Sequence, residues 1–374
     1  MKKLFFLAAL ATATTGAFAA PSTSSQAIDE ARPLFQKGDY AGAQKLTEQA
    51  LALAKTPEEK VKALLDLGLT YRGRKLYPQA REQWRQILEL PGASAKDKAG
   101  THSLLGASYS EEENWVYART EFQKAVDEPE LSAQEKAGNR LFIAVTFAGE
   151  KNTVEAEKRF LALAEDATVD ANFRALAYSQ LGQVQAEEHE FEQARAAFNQ
   201  ILSFPNAPRE LRVVAQAGIA QSFKDQGDPA KAQAEFVKAQ AEALKQSVFL
   251  AQAKQFAPAR AMMEQALTFG TINPVLEAAL QGQISDLLVQ EGKPDEARTR
   301  LETLVKKQHG PGLSAQDEAT LRVIRQNALL QIAKLHAQQG NKEGARQLLQ
   351  DLLKTDDLNP GVKVAADKAL QELA

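Results

Sequence analysis

Histidines and paired carboxylates are the residues that could do chemistry in this sequence, and their spacing gives little support for a reaction centre. His189-Glu190 begins like a zinc-protease helix, but Gln193 stands where the second histidine of that motif belongs. No pair of histidines has metal-ligand spacing, so we expect no metal site. The four histidines of the chain are His102, His189, His309 and His336.

Other catalytic motifs do not occur in the sequence either. There is no G-x-G-x-x-G, Walker A or G-x-S-x-G segment, and the lack of cysteine excludes thiol chemistry and disulfides. The acidic run from Glu111 to Glu113 is typical of a solvated loop rather than a cation site. We therefore expect a non-enzymatic protein without a cofactor. A hidden enzyme would need convergent polar residues, and the sequence does not reveal any.

The first residues have the three regions of a secretory signal peptide. Two lysines precede an apolar run over residues 4–10, and small residues follow. Ala17-Phe18-Ala19 forms an A-x-A site, which predicts a signal peptide over 1–19 and cleavage before Ala20. The apolar run is too short to span a bilayer. We expect an exported protein, periplasmic or secreted, with no transmembrane anchor in the mature chain.

Composition and charge bound the fold class and the kind of partner. Residues that favour helix dominate the 374 positions, and 44% of the chain is hydrophobic, so we expect an all-α fold with a sizeable core. The formal charge is −3, and it becomes −5 when the two leader lysines are lost with no acidic residue. An acidic mature chain argues against nucleic acid as the partner.

An alanine recurs through the chain, mostly at a spacing of 38 residues, which indicates a repeat array. A large apolar residue follows it by four positions in eight of the nine copies, and a further apolar residue follows by seven. These offsets share one helical face, so each copy predicts a helix, called helix B, whose alanine allows a close neighbour. The alanines are Ala43, Ala80, Ala118, Ala156, Ala194, Ala232, Ala259, Ala297 and Ala345.

A second helix, called helix A, precedes helix B in each copy. Twelve residues before the alanine, a small residue such as Gly68 or Gly106 recurs. Glycine inside a helix costs about 0.5–1 kcal/mol relative to alanine, so its repetition indicates close helix packing. Helix A is predicted to begin after N-cap residues that stand 24 positions before the alanine. These are Thr56, Ser94, Ser132, Asp170 and Asn273.

The order Leu67-Gly68-x-x-Tyr71, followed by Ala80, Trp84, Ile87 and Pro91, resembles the tetratricopeptide repeat. The resemblance covers residues from about 25 to about 355. It implies a right-handed α-α superhelical solenoid of about nine helix-turn-helix repeats. The period here is 38 rather than the 34 of the family, and the early N-caps predict A helices that are one turn longer. The early tryptophan of the family is absent.

Two irregularities interrupt the array. Only 27 residues separate Ala232 from Ala259, and no glycine or proline occurs over 230–257, which predicts that helix B of repeat six is fused to a shortened helix A of repeat seven. The last A helix is predicted to be longer and to begin after Ser314. The predicted organisation is a signal peptide (1–19), repeats one to six (20–241), repeats seven to nine (242–358) and a capping helix (359–374).

In the tetratricopeptide family, the A helices line a groove that binds peptides, so the resemblance implies that exposed A-helix positions hold the partner. Phe142 and Val145 stand out among these positions because they are apolar where solvent is expected. The candidate groove residues are Lys62, Asp66, Leu69, Arg72, Ser103, Ser110, Phe142, Val145, Ser179, Gln183, Gln221 and Lys224.

These features favour an exported scaffold that mediates protein–protein interactions in a bacterial cell envelope. The alternative is a cell-wall or polysaccharide-associated assembly factor whose groove binds glycan or an enzyme complex. A glycan groove should present clustered exposed aromatic side chains. The chain has two tryptophans and six tyrosines, mostly at packing positions, so the sequence favours the protein-binding scaffold.

Overall fold

The computed structural model describes residues 21–270, 272–308 and 312–373. The predicted signal peptide, its cleavage site before Ala20, and His309 lie outside these ranges. Within the described ranges the chain forms eighteen α-helices and no β-strand, which confirms the predicted all-α helical-repeat solenoid. The chain divides into two compact units between Val184 and Gln185.

The helices alternate between A and B helices as the repeat pattern predicts, except at the junction of repeats six and seven, where two successive helices carry the packing alanine. The first unit holds α1 (Ser24–Gln36), α2 (Tyr40–Leu53), α3 (Pro57–Gly73), α4 (Tyr77–Glu89), α5 (Ala95–Glu111), α6 (Trp115–Asp127), α7 (Ala133–Gly149), α8 (Thr153–Ala164) and most of α9 (Ala171–Glu187). The second unit continues with α10 (Phe191–Ser203), α11 (Arg209–Asp225), α12 (Pro229–Gln252), α13 (Phe256–Ala266), α14 (Pro274–Gln290), α15 (Pro294–Lys306), α16 (Ala315–Gln338), α17 (Lys342–Leu353) and α18 (Pro360–Glu372). Each helix packs on the next from α1 to α8 and from α10 to α18.

The recurring alanines are buried in the packed core. All nine are 0–3 % exposed, as the spacing predicts. The large residue four positions later is also buried in the eight copies that have one, from Trp84 in α4 to Leu349 in α17. In the first copy Thr47 takes that position, and its hydroxyl donates to the carbonyl oxygen of Ala43 at 3.0 Å. Small and large residues therefore alternate along one buried stripe of each B helix.

Glycines in the A helices make room for the large residue of the following B helix. A Cβ atom on Gly106 would lie 2.7 Å from Cδ1 of Phe122, and a Cβ atom on Gly68 would collide with the indole of Trp84. Both rings therefore pack directly on backbone. The helix propensity that glycine sacrifices is offset by this contact, as predicted for the recurring small residue.

Side-chain caps set where the A helices begin. Thr56, Ser94 and Ser132 each accept a hydrogen bond from the backbone of the third helical residue and form complete capping boxes. Asn273 accepts hydrogen bonds from the backbone of Val275 and Leu276 at the start of α14, and Ser314 accepts one from the backbone of Asp317 at the start of α16. The A helices α3, α5, α7, α9, α11 and α14 are all 17 residues long, although α11 begins after Pro208 without a side-chain cap.

An arginine directly after the packing alanine ties each of several B helices to the next A helix. The guanidinium of Arg81 lies 4.3 Å from the ring centroid of Tyr109 and pairs with Glu112, the C-cap residue of α5. This contact combines a cation–π interaction with a charged hydrogen bond. Equivalent sets with the same offsets are Arg119–Phe147–Glu150 and Arg195–Phe223–Gln226.

Both predicted irregularities are present in the second unit. Helix α12 runs without interruption over 24 residues, so it is the fused helix expected between repeats six and seven. Helix α16 is also 24 residues long and begins after the cap at Ser314, as predicted. The junction at 240–255 lies within one compact unit, residues 185–374.

The last helix covers the end of the second unit. Helix α18 packs on α16 and α17 through Val362, Ala366 and Ala369, which are buried. Among the residues that the structure describes, no helix combines the length and the apolar character needed to cross a membrane.

Candidate functional site

The candidate groove residues lie on five successive A helices, and their exposure differs. Ser179 is only 2 % exposed, so its hydroxyl does not form part of an accessible surface. It lies on the same face of α9 as Ala175 and Gly182, which are also buried. The exposed positions are Lys62, Phe142, Gln183, Gln221 and Lys224, and the half-buried ones are Asp66, Leu69, Arg72, Ser103, Ser110 and Val145.

Phe142 is the exposed aromatic residue of the α7 surface. Its ring stacks on the ring of Phe122, with centroids 5.2 Å apart and an interplanar angle of 26°. Phe122 belongs to the core, so one face of Phe142 rests on packed side chains while 43 % of the residue remains exposed. A ring supported in this way presents a rigid apolar contact, which is the character of residues that dominate protein interfaces.

Several polar groove candidates are already engaged within the chain. Arg72 donates through Nε to Glu111 at 2.8 Å. The hydroxyls of Ser103 and Ser110 donate to carbonyl oxygens one turn earlier in α5, at 2.9 and 3.0 Å. Lys62 is exposed and forms no ion pair with the described residues. Lys62 is therefore available to a partner, whereas Arg72 would have to leave Glu111.

The structure brings two of the candidates, Asp66 and Leu69, into one small cavity. This cavity lies between α1, α2 and α3 and has a volume of about 110 Å³. Its wall is mostly apolar and includes Ile28, Phe35 and Ala43. The other candidates are distributed along separate helices, and Gln221 and Lys224 belong to the second unit.

The carboxylate of Asp66 is held in a partly dehydrated position. Burial raises the pKa of Asp66 above its usual value, and the positive charges of Arg32 and Lys62 oppose the rise. A folded-state pKa above the unfolded value means that the folded chain binds this proton more readily. The cost of burying the charge is therefore absent below the unfolded pKa and appears as the pH rises through the folded pKa.

We expect the substitution Asp66→Asn to raise the Tm at pH 7, because the amide has no charge to dehydrate. Well below the usual carboxyl pKa of 3.8, Asp66 is neutral in both states, and the variant and the parent should have the same Tm. Thermal melts at pH 2.5 and pH 7 check this. Asp367→Asn, at an exposed position of α18, serves as the control, and its Tm should equal that of the parent. A variant that is less stable than the parent at pH 7 would show that the carboxylate is stabilising.

His102 and Glu121 form a polar contact between two neighbouring helices. Nδ1 of His102 lies 2.6 Å from Oε2 of Glu121 and joins α5 to α6. Burial acts to raise the pKa of Glu121, but hydrogen bonds from His102 and Lys124 outweigh it and lower that pKa. No group of three or more His, Asp or Glu side chains within the described residues could hold a metal ion.

The acidic run at 111–113 and two adjacent methionines in α13 have structural roles. Glu111 and Glu112 pair with Arg72 and Arg81, so two of the three acids connect helices at the α5–α6 turn. Glu113 has φ of 57° and is exposed. Met262 and Met263 in α13 are both buried in the core of the second unit.

One surface that the sequence did not predict lies beside the second half of α12. Val248 and Phe249 are exposed there and border a groove of about 640 Å³ together with Phe204, Arg209 and other residues. The sequence feature that could have indicated this surface is the pair of adjacent large apolar residues, Val248 and Phe249, within the predicted fused helix. The periodicity did not show which face of this helix would remain uncovered.

Comparison with known proteins agrees with this architecture. The model of the tetratricopeptide repeat family matches residues 28–95 and 283–361. These stretches include α2 to α4 in the first unit, and α15 to α17 in the second. No curated protein matches the chain.

Comparison with solved structures finds matches at low sequence identity. The apo form of RapI is 11% identical, with a TM-score of 0.50, and the match covers 93% of this chain and 87% of RapI. A tetratricopeptide repeat protein from Parabacteroides merdae is 14% identical over 72% of this chain and 98% of its own, with a TM-score of 0.41. The apo quorum sensor NprR from B. thuringiensis is 12% identical over 88% and 86%, with a TM-score of 0.45. The matched stretches and the paired helices together show that the chain is similar to tetratricopeptide-repeat proteins over residues 28–95 and 283–361.

Proposed function

We propose that this protein is an exported, non-catalytic scaffold of a bacterial cell envelope that binds another protein through the exposed face of its A helices. The observation that carries the proposal is the repeated A-helix surface, on which Lys62 and Phe142 are open to solvent above a tightly packed core. An array of this kind offers an extended surface to which each repeat contributes a few contacts. The acidic net charge supports a protein partner over nucleic acid.

Export is supported by the order of charged, apolar and small residues over 1–19. Mass spectrometry of the protein recovered from the periplasmic and culture fractions tests it. We expect a chain that begins at Ala20. A chain that retains Met1 and remains in the cytoplasmic fraction would contradict export, without bearing on partner binding.

Partner binding is tested by affinity capture from an envelope extract with the mature chain. We expect a specific protein to be recovered by the parent and lost with the double variant Lys62→Glu/Phe142→Ser, because the variant alters the A-helix surface at two exposed positions. The matched control is Val154→Ser/Lys158→Glu on the B helix α8, where both residues are also exposed.

The outcome of this capture also separates the two classes of function. Equal recovery with the A-helix variant and with the parent would show that another surface binds the partner. Failure to recover any protein, together with retention of the parent on a glycan array, would favour the polysaccharide-associated alternative. Thermal melts of both double variants exclude unfolding as the cause of any loss.

A further inference from the structure

The fused helix α12 extends beyond its partner helix and leaves a surface uncovered. Helix α11 has 17 residues and packs against α12, which has 24. The seven additional residues correspond to about 10 Å of helix. Arg212 lies opposite Glu242 near the start of α11, so the extension is the segment 246–252. On its groove side this segment lies beside the loop between α10 and α11, whereas its buried side faces the core that α12 shares with α13.

The extension and this loop form the two walls of the groove. The loop contributes Phe204, Pro205 and Ala207, and the extension contributes Val248 and Phe249. Val248 is 50 % exposed and Phe249 is 48 % exposed. Two adjacent large apolar side chains are thus left half open to solvent beside further apolar wall residues, which is typical of an interaction surface.

The charges at the groove are predominantly positive. Arg212 is satisfied, because its Nη1 donates to the carbonyl oxygen of Leu202 at 3.1 Å and its Nε lies 3.5 Å from Glu242. Arg209 lies over the ring of Phe249, 3.2 Å from its centroid. Neither Arg209 nor Lys245 has a carboxylate partner among the described residues. Two cations without acidic partners therefore flank two exposed apolar side chains.

The start of α11 adds to the positive potential of the groove. Its N-cap residue is Pro208, which provides no side-chain hydrogen bond, whereas Thr56, Ser94 and Ser132 cap other A helices. The first N–H groups of α11 consequently carry their partial positive charge without a capping side chain. Arg209, which lines the groove, belongs to this first turn.

We propose that this groove binds an extended segment of a partner protein in which acidic residues flank a large apolar side chain. The apolar side chain packs against Val248 and Phe249, and the carboxylates pair with Arg209 and Lys245. Charge complementarity selects this occupant, because an uncharged or basic segment would leave both cations unpaired. The inference rests on the proposed scaffold function and assigns a chemistry to one of its partner segments.

Fluorescence anisotropy with the full mature chain and a labelled peptide, GDELFEDG, tests the proposal. We expect saturable binding that weakens as salt is added. The charge-reversed peptide GKKLFKKG should bind at least about tenfold more weakly, and so should GDEAAEDG, in which alanines replace the two large apolar residues. The protein variants Arg209→Gln/Lys245→Glu and Val248→Ser/Phe249→Ser should each weaken binding of GDELFEDG by about tenfold or more.

The matched control is Lys363→Glu/Val364→Ser on α18, where a lysine and a valine are likewise exposed. It should bind GDELFEDG like the parent. Equal affinity of the groove variants and the parent, or equal affinity for GKKLFKKG, would overturn the proposal. So would a concentration-dependent dimer in sedimentation that the groove variants abolish, because a second copy would then be the occupant. If one of these results is obtained but the capture experiment still yields a partner through the A-helix face, the groove proposal is refuted and the proposed scaffold function is not.

Discussion

Replacing Trp84 with alanine is expected to lower the free energy of unfolding by about 3–5 kcal/mol, the range observed for large aromatic side chains in cores. Trp84 is 0 % exposed in α4 and packs directly on the backbone of α3 at Gly68. Its Nε1 donates to the carbonyl oxygen of Leu65 at 3.3 Å. The substitution removes this hydrogen bond and leaves a cavity between α3 and α4. These helices cannot easily close the cavity, because each is also packed against other helices of the array.

Urea unfolding measures this loss. The chain contains two tryptophans, so in the variant the fluorescence of Trp115 reports on the first unit while far-UV circular dichroism reports on the whole chain. Two probes are needed because repeat arrays can unfold in more than one step. Val154→Ala, at an exposed position of α8, should change the free energy by no more than about 0.5 kcal/mol. A Trp84 variant as stable as this control would refute the packing role of the large residue.

The repeat architecture could be predicted from sequence because its determinants are local. The packing alanine, the large residue four positions later and the capping serines or threonines all lie within one helix or its first turn. The fused helix could be predicted for the same reason, since no glycine or proline interrupts 230–257. Periodicity within a helix therefore specified which residues pack together.

Contacts between helices of different repeats were harder to predict. Arg81 reaches Tyr109 and Glu112 across a repeat boundary, and only the recurrence of the same offsets in the structure reveals the pattern. The groove beside α12 depends on how far one helix extends past another, which no single-helix pattern encodes. The prediction of Ser179 as a surface residue was wrong, since it is buried on the same face of α9 as Ala175. The buried face of α9 is wider than the pattern of apolar and polar residues in the sequence indicates.

Introducing leucine at Gly106 is expected to destabilise the protein by about 1–3 kcal/mol, the usual cost of overpacking. A Cβ atom at this position would already lie 2.7 Å from the ring of Phe122. Phe122 cannot move freely, because it is buried and its ring is stacked on Phe142. The clash therefore outweighs the gain in helix propensity of about 0.5–1 kcal/mol that replacing a helical glycine brings. Ala118→Leu, at the packing alanine of α6, should be destabilising for the same reason.

Gly100 provides the matched control, because it lies in the same helix α5 but, apart from the neighbouring backbone of that helix, no atom lies within 4 Å of the place where its Cβ would be. Leucine at Gly100 should raise the free energy of unfolding by roughly the helix-propensity difference of 0.5–1 kcal/mol, so the two glycines of one helix should respond with opposite signs. Urea melts of both variants measure this contrast. Stabilisation at both positions would mean that α5 and α6 have room between them, and the close approach that organises every repeat would then not exist in solution.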